Sequence, residues 1–388
     1  MSTLKELLKK HCPDGVEYIK LEDFCSFTAG GDVPKNNFSK EKTTKYNIPI
    51  ISNGIGANAL YGYTNIIKID EPCISISARG TIGHCIYHEK PFYPIVRLIC
   101  IIPNDICIPK FLKYFFDNIT IDVPKTGIPQ LTIPMIKKIY VPVPPIEVQK
   151  EIVRILDTFT KYQDLLNREL ELRKKQYEYY NNKLLTFNDN VEYKTLEELC
   201  DIVDYRGKTP KKVNSGIFLI TAKNIRKGYI DYEKSKEYVD INDYPNIMHR
   251  GLPQIGDVLI TTEAPLGYVA QIDRENVALA QRVIKYRPKD KSLLSSYYLK
   301  YILLGKEFQD KLLINATGGT VKGIKGSKLH KLTIPVPPLE EQERIVNILD
   351  KFDALCNDIT RGLPAEIELR KKQYEYYRDK LLTFKEKK

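Results

Sequence analysis

The chain reads as an α+β protein: two mixed helix-and-strand domains, each followed by a long coiled-coil helix, the whole an internal pseudo-two-fold repeat. Three observations carry that reading. Pro142-Val143-Pro144-Pro145-Ile146-Glu147, with Gln149, Ile152-Val153 and Ile155-Leu156-Asp157, returns as Pro335-Val336-Pro337-Pro338-Leu339-Glu340, with Gln342, Ile345-Val346 and Ile348-Leu349-Asp350. Glu171 to Tyr180 (ELRKKQYEYY) returns unchanged as Glu368 to Tyr377, and Lys183 to Phe187 (KLLTF) as Lys380 to Phe384. The roughly 140 residues ahead of each proline segment share a plan but little sequence. A repeat of half the chain length signals two structural units.

Residues 1–140 are rich in β-branched and aromatic residues with frequent Gly, Pro and Asn. Ile48 to Ile51, Cys73 to Ser77 and Ile95 to Ile102 read as strands, and Pro109 to Phe116 as a short helix. Residues 141–187 hold the first long helix. Ile152, Leu156, Phe159, Gln163, Leu166, Leu170, Arg173, Tyr177, Tyr180 and Leu184 alternate steps of four and three, the 3.5-residue period of a coiled coil. Pro144-Pro145 stands where a helix begins, because proline is tolerated in a first turn. Such a rod needs a partner helix, and the second repeat supplies one.

Residues 188–333 repeat the α+β plan. Ile217 to Ile220 matches Ile48 to Ile51, and Asp257 to Thr262 matches Cys73 to Ser77. Residues 334–388 hold the second long helix. Its offset from the first changes from 193 at the prolines (335 − 142) to 197 at the tyrosines (368 − 171), so four residues are inserted there. The interval holds Gly362-Leu363-Pro364-Ala365. A four-residue insertion keeps an apolar stripe nearly in phase but unwinds a supercoil, and Pro364 should kink or break the helix. The expected helix–helix core is Ile152, Leu156, Phe159, Leu166, Leu170, Tyr177, Tyr180 and Leu184 against Ile345, Leu349, Phe352, Tyr374, Tyr377 and Leu381.

Composition narrows the function. The net charge is +11, and ten of those charges fall in the divergent segments: +4 in 1–140 (17 basic, 13 acidic) and +6 in 188–333 (24 and 18). The repeated segments are almost neutral, at +1 and 0. A basic excess there suits a polyanion or an ordinary solvated surface. No apolar run approaches the ~18 residues of a membrane span, and no apolar signal core follows Met1, so a cytoplasmic protein is expected. The eight scattered cysteines form no CxxC pair and read as reduced thiols. Cys73, His84, Cys85 and His88 fit no standard zinc spacing, so no metal is expected. Phosphate-loop, adenine-methylation and glycine-rich cofactor motifs are missing, which argues against catalysis by this chain.

The P-V-P-P-[IL]-E-x-Q-x-x-I-V-x-I-L-D segments, each followed by E-L-R-K-K-Q-Y-E-Y-Y and K-L-L-T-F, resemble the specificity subunits of type I restriction–modification systems across the whole chain. The departure to note is Gly362-Leu363-Pro364, in the second spacer only, which puts equal length and straightness of the two helices in question. The resemblance implies two target recognition domains (1–140 and 188–333), each reading half of a split double-stranded DNA sequence. It implies two antiparallel spacer helices (141–187 and 334–388) that fix the gap. The implied partners are two modification (methyltransferase) subunits and the restriction (motor–nuclease) subunits. S-adenosylmethionine, ATP and Mg²⁺ are expected on those partners and no cofactor on this chain.

Reading DNA takes donors and acceptors on loops near a basic surface. In the first domain the candidates are Asn53, Asn58, Arg79 and Gln130. In the second they are Lys223, Asn224 and Arg226 after the Ile217 to Ile220 strand, Glu263 in the place of Arg79, and Lys322 and Lys325 before the last strand. Arg206, Lys208, Lys211 and Lys212 form a basic turn suited to phosphate. The basic runs at Arg173 and Arg370 lie among acidic residues that nearly cancel them, so a solvated or partner-facing surface is expected. Tyr179 and Tyr376 fall off the 3.5-residue period and are candidates for docking a modification subunit. Two other readings stay open here: the recognition half of an endonuclease, which would nick DNA with Mg²⁺, and a scaffold that binds no DNA.

Overall fold

The computed structural model describes residues 2–123, 129–188, 190–205, 210–358 and 361–387. The chain forms two compact units, Met1–Asn167 with Glu366–Lys388, and Arg168–Ala365. Each unit therefore holds one mixed domain, the first part of one long helix and the last part of the other.

The two units share a plan. In the first, an antiparallel sheet runs Cys25–Ala29, Leu98–Pro103, Cys73–Ser77, Cys85–His88. In the second, the order is Cys200–Asp204, Val283–Pro288, Val258–Thr262, Leu266–Gln271. Cys73–Ser77 and Val258–Thr262 are buried along their whole length. Each has strands on both edges, and a helix packs on its sheet, Pro109–Asn118 in one unit and Ser296–Leu304 in the other. A smaller sheet adds Leu60–Thr64, Ile48–Ile51 and Tyr93–Pro94 in the first unit. Tyr18–Lys20 pairs antiparallel with Tyr140–Pro142, and Tyr193–Thr195 with Thr333–Pro335. Each domain is thus closed by joining its entry to the proline segment at its exit. The sequence places a strand from Ile95; the structure starts it at Leu98, because Arg97 takes a left-handed backbone (φ 76) that ends an extended run.

The first long helix, Ile146–Leu184, is continuous over 39 residues, about 58 Å. The second is two helices, Leu339–Asn357 and Leu363–Leu382. Gly362 lies where a Cβ would stand 2.4 Å from the Ala354 carbonyl oxygen, so only glycine fits that turn. Pro364 sits in the first turn of the second piece, where its missing N–H costs nothing. The expected break is therefore made by the inserted residues.

The proline segment's glutamine explains how each long helix is tied to its domain. Gln149 is fully buried. Its Oε1 accepts from the Ile108 N–H (2.8 Å), and its Nε2 donates to the carbonyls of Ile106 (2.8 Å) and Pro144 (2.7 Å). Gln342 is also fully buried and repeats the clasp on Ser295 N–H (2.9 Å), Leu293 O (2.8 Å) and Pro337 O (2.8 Å). Ile108 and Ser295 are the residues that start the domain helices. Two turns on, Asp157 accepts from the Tyr114 hydroxyl and the Lys110 ammonium, both at 2.6 Å. Asp350 accepts from the Tyr301 hydroxyl and faces Lys300 at 3.7 Å.

Ile152, Leu156, Ile345 and Leu349 are fully buried in the cores of their own units. Helix-to-helix packing rests on rings instead. Phe159 stacks on Tyr377 (5.4 Å) and tilts against Tyr374 (6.5 Å); Phe352 stacks on Tyr180 (5.6 Å) and Tyr177 (5.9 Å). Arg370 lies over Tyr162 (5.4 Å) as Tyr377 lies over Phe159, so within the first unit the two segments run antiparallel. Leu184 and Leu381 pack at the helix ends, while Leu166 and Leu170 are half-buried.

Replacing either glutamine by alanine strands a buried N–H and two carbonyls. Gln149→Ala is expected to destabilise the first unit, and Gln342→Ala the second, on the order of 3 kcal/mol each. Hydrogen exchange under denaturant checks this: protection should fall in the substituted unit only.

Candidate nucleic-acid interface

Three loops in each unit are laced by the same pair of backbone hydrogen bonds. In the first, the Ala78 N–H donates to the Arg97 carbonyl (2.7 Å) and the Leu131 N–H to the Ala78 carbonyl (2.9 Å). In the second, the Thr262 N–H donates to the Arg282 carbonyl and the Ile324 N–H to the Thr262 carbonyl, both at 3.0 Å. The buried central strand thus delivers its C-terminal end to a platform shared with two other loops.

The platform gathers several sequence candidates. Arg79 Nε donates to Gln130 Oε1 (2.9 Å), and its Nη2 reaches the same oxygen. Asn53 is half-buried and donates its amide to the Arg79 carbonyl (2.8 Å), so it shapes the Arg79 turn. Asn58 is exposed on the neighbouring short turn Gly56–Ala59. In the second unit Glu263 forms an ion pair with Arg282 (Oε1 to Nε, 2.6 Å) and bridges by backbone to Gly323, beside the exposed Lys322. Lys325, also exposed, precedes the short helix Gly326–Leu329. The two platforms therefore present an Arg–Gln pair and a Glu–Arg pair. Arg suits guanine, a glutamine amide suits adenine, and a carboxylate accepts from cytosine.

Other candidates lie elsewhere. Lys223 is exposed, and Arg226 pairs with Asp231 at 3.5 Å. Lys211 is exposed next to Lys212, which pairs with Glu237 at 2.7 Å. Arg206 and Lys208 lie outside the described residues. Asn224 requires a correction. It is fully buried, its Oδ1 accepts from the Thr221 N–H (3.0 Å) and hydroxyl (2.8 Å), and its Nδ2 donates to the Asp231 and Ser235 carbonyls (both 2.9 Å). Every polar atom of that amide is committed to its own loop, so it cannot read a base edge.

Sequence reading missed Arg97 and Arg282, the first because it sat within an apparent strand. A signal existed: each follows the end of its buried strand by the same interval (97 − 77 = 20; 282 − 262 = 20).

The Cys73, His84, Cys85, His88 group is part of the domain interior. His88 bonds the buried Ser75 hydroxyl (2.7 Å) and stacks on Phe92 (3.9 Å). Among the described residues no cluster of His, Cys, Asp and Glu could hold a metal ion. Burial pushes the Cys107 thiol up to about 12 and holds His88 down at about 4.

Residues 13–173 and 188–369 match the family described as type I restriction modification DNA specificity domain. The chain belongs to that family. The Escherichia coli type I restriction enzyme EcoR124I/EcoR124II specificity subunit is 39% identical over 263 residues, covering 64% of this chain and 63% of the relative. A Haemophilus influenzae protein named as a type I restriction enzyme specificity subunit is 35% identical over 271 residues, 66% of each chain. Both alignments span under two thirds of the relative's own length. The crystal structure of a type I specificity subunit from M. genitalium superposes with a TM-score of 0.60 at 15% identity, covering 95% of this chain and 96% of that one. A chain from a study of type I complex assembly and conformational transition superposes with a TM-score of 0.56 at 18% identity, covering 95% and 98%. At such identities the likeness is one of fold. The laced platforms are thus features of two type I specificity domains.

His88 gives the first domain an acid-sensitive core. The unfolded imidazole titrates near 6.5 and the folded one near 4, so its contribution is complete above pH 6.5 and is lost as pH falls towards 4. Up to about 3 kcal/mol is at stake. The urea midpoint of the first unit should fall across that window, and His88→Gln should flatten the dependence.

Proposed function

We propose that this chain is the DNA-specificity subunit of a type I restriction–modification complex. Each domain reads one half of a bipartite duplex target, and the long helices fix the gap and dock methyltransferase subunits. The observation that carries this reading is the pair of platforms: one backbone circuit presenting Arg79 and Gln130 in the first domain and Glu263 in the second. A shared frame with different tips suits two readers of different sequences.

The helices supply the partner surface. Leu172 and Tyr179 are 52% and 60% exposed; the matching Leu369 and Tyr376 are 59% and 60% exposed. Seven residues separate the members of each pair, which places them on one helix face. Tyr179 rests edge-on against Tyr180, and Tyr376 against Tyr377. The same surface shown twice fits two copies of one partner, the modification subunit, with restriction subunits completing the assembly. The basic runs are partly paired within their helices: Arg173 bonds Glu169 (2.8 Å) and Gln176 (2.9 Å), and Arg370 bonds Glu366 and Gln373 at the same distances. The chemistry, with S-adenosylmethionine, ATP and Mg²⁺, belongs to the partners, and the chain itself carries no catalytic role. Unpaired thiols at all eight cysteines support a reducing cytoplasm.

The complex with modification subunits should shift a target duplex, with affinity falling steeply as salt rises. No shift at any salt would leave the scaffold reading ahead. Reading methylated adenines in a host genome gives the target; exchanging residues 188–333 for a relative's should change only one half of it. Inserting four residues after Lys161 adds about 400° of helix and roughly 6 Å. The half-sites should stay the same and the gap should widen by about one or two base pairs, at about 3.4 Å each.

A further inference from the structure

Arg97 and Arg282 hold an uncommon backbone. Their φ angles are 76° and 70°, and among the described residues only Ala264 and Asn276 join them as non-glycine positions with positive φ. Glycine or asparagine suits that conformation better than arginine. Both arginines are exposed, so neither side chain fills a core. Their carbonyls lace the platform by accepting from Ala78 and Thr262, a task any residue could perform. The guanidinium is what remains unexplained, and it occurs at the same node of both circuits.

We infer that Arg97 and Arg282 are matched phosphate contacts, one per domain, that fix the register of each platform on the duplex. The inference rests on the DNA-reading function proposed above. The tips around them differ, Arg79 against Glu263 and Gln130 against the neighbourhood of Lys322. Half-sites of different sequence share only their sugar–phosphate backbone, so the element kept in both domains should meet the element kept in both half-sites. A guanidinium presents several N–H groups that match phosphate oxygens. Glu263 pairs with Arg282 (Nε to Oε1, 2.6 Å), which aims a guanidinium that stays exposed to solvent. Arg97 makes no side-chain hydrogen bond or ion pair among the described residues.

The test uses the chain in complex with its modification subunits, with Arg97→Gly, Arg282→Gly and the two lysine variants. Glycine accepts the left-handed backbone, so the platform should still form. Binding to target and non-target duplexes is measured across salt concentrations, and methylated sites are sequenced. Each glycine variant should weaken binding on the order of tenfold on both duplexes. The logarithmic salt slope should drop by about one, with the methylated sequence unchanged. The lysine variants should restore most of the slope. Unchanged affinity and slope overturn the inference, as does relaxed specificity at one target position, which would make the arginine a base reader. If the unsubstituted complex binds no duplex, the proposed function itself falls; if it binds and the variants match it, only this inference does.

Discussion

Everything in this fold hangs on a buried carboxamide. Gln149 and Gln342 each join the first turn of a long helix to the start of a domain helix and to the loop before it. Only a side chain with an acceptor and two donors on one plane can satisfy an N–H and two carbonyls together. Glutamate lacks the donors, and an aliphatic residue would leave all three groups dry and unpaired. The prolines beside it hold the chain extended into the helix. Eight residues on, the Asp157 and Asp350 carboxylates fasten tyrosines from the same domain helices, so each joint is held at two points and resists rotation.

This joint explains the uneven divergence of the halves. The proline segment and the helices share one geometry, so their residues are tied to fixed partners: glutamine to backbone, aspartate to tyrosine, phenylalanine to paired tyrosines. The domains are held at the joint, by the strand pairs that close them and by a buried central strand. Beyond the loop lacing, their tip side chains pair locally, Arg79 with Gln130 and Glu263 with Arg282, so a tip can differ from one domain to the other. The positive charge follows the same division. It accumulates in the domains, while the helices balance their own charges through short-range pairs.

Asn224 shows how buried and exposed polar residues are confused in a sequence. As an asparagine beside lysine and arginine after a strand, it has the composition of a base reader. Its amide instead satisfies four groups of a loop that would otherwise lack partners. Arg97 is the reverse case. Flanked by Ile95, Val96, Leu98 and Ile99, it looks like the interior of a strand, yet one left-handed residue turns the chain and leaves the side chain outside.

The sequence by itself determined the repeat, the family, the mixed helix-and-strand character of the two domains with their buried central strands, the long helices and the break at Gly362-Leu363-Pro364. These follow from local rules of periodicity, proline geometry and turn chemistry, which act over a few residues and are written in order along the chain. Only the tertiary structure decided which loops are laced into a platform and how each unit is composed. The platform joins the ends of segments some 20 to 60 residues apart through backbone hydrogen bonds, which leave no mark on residue type. Each unit takes its helical part from both repeats, because an apolar stripe says that a helix needs a partner and not which stretch of chain supplies it.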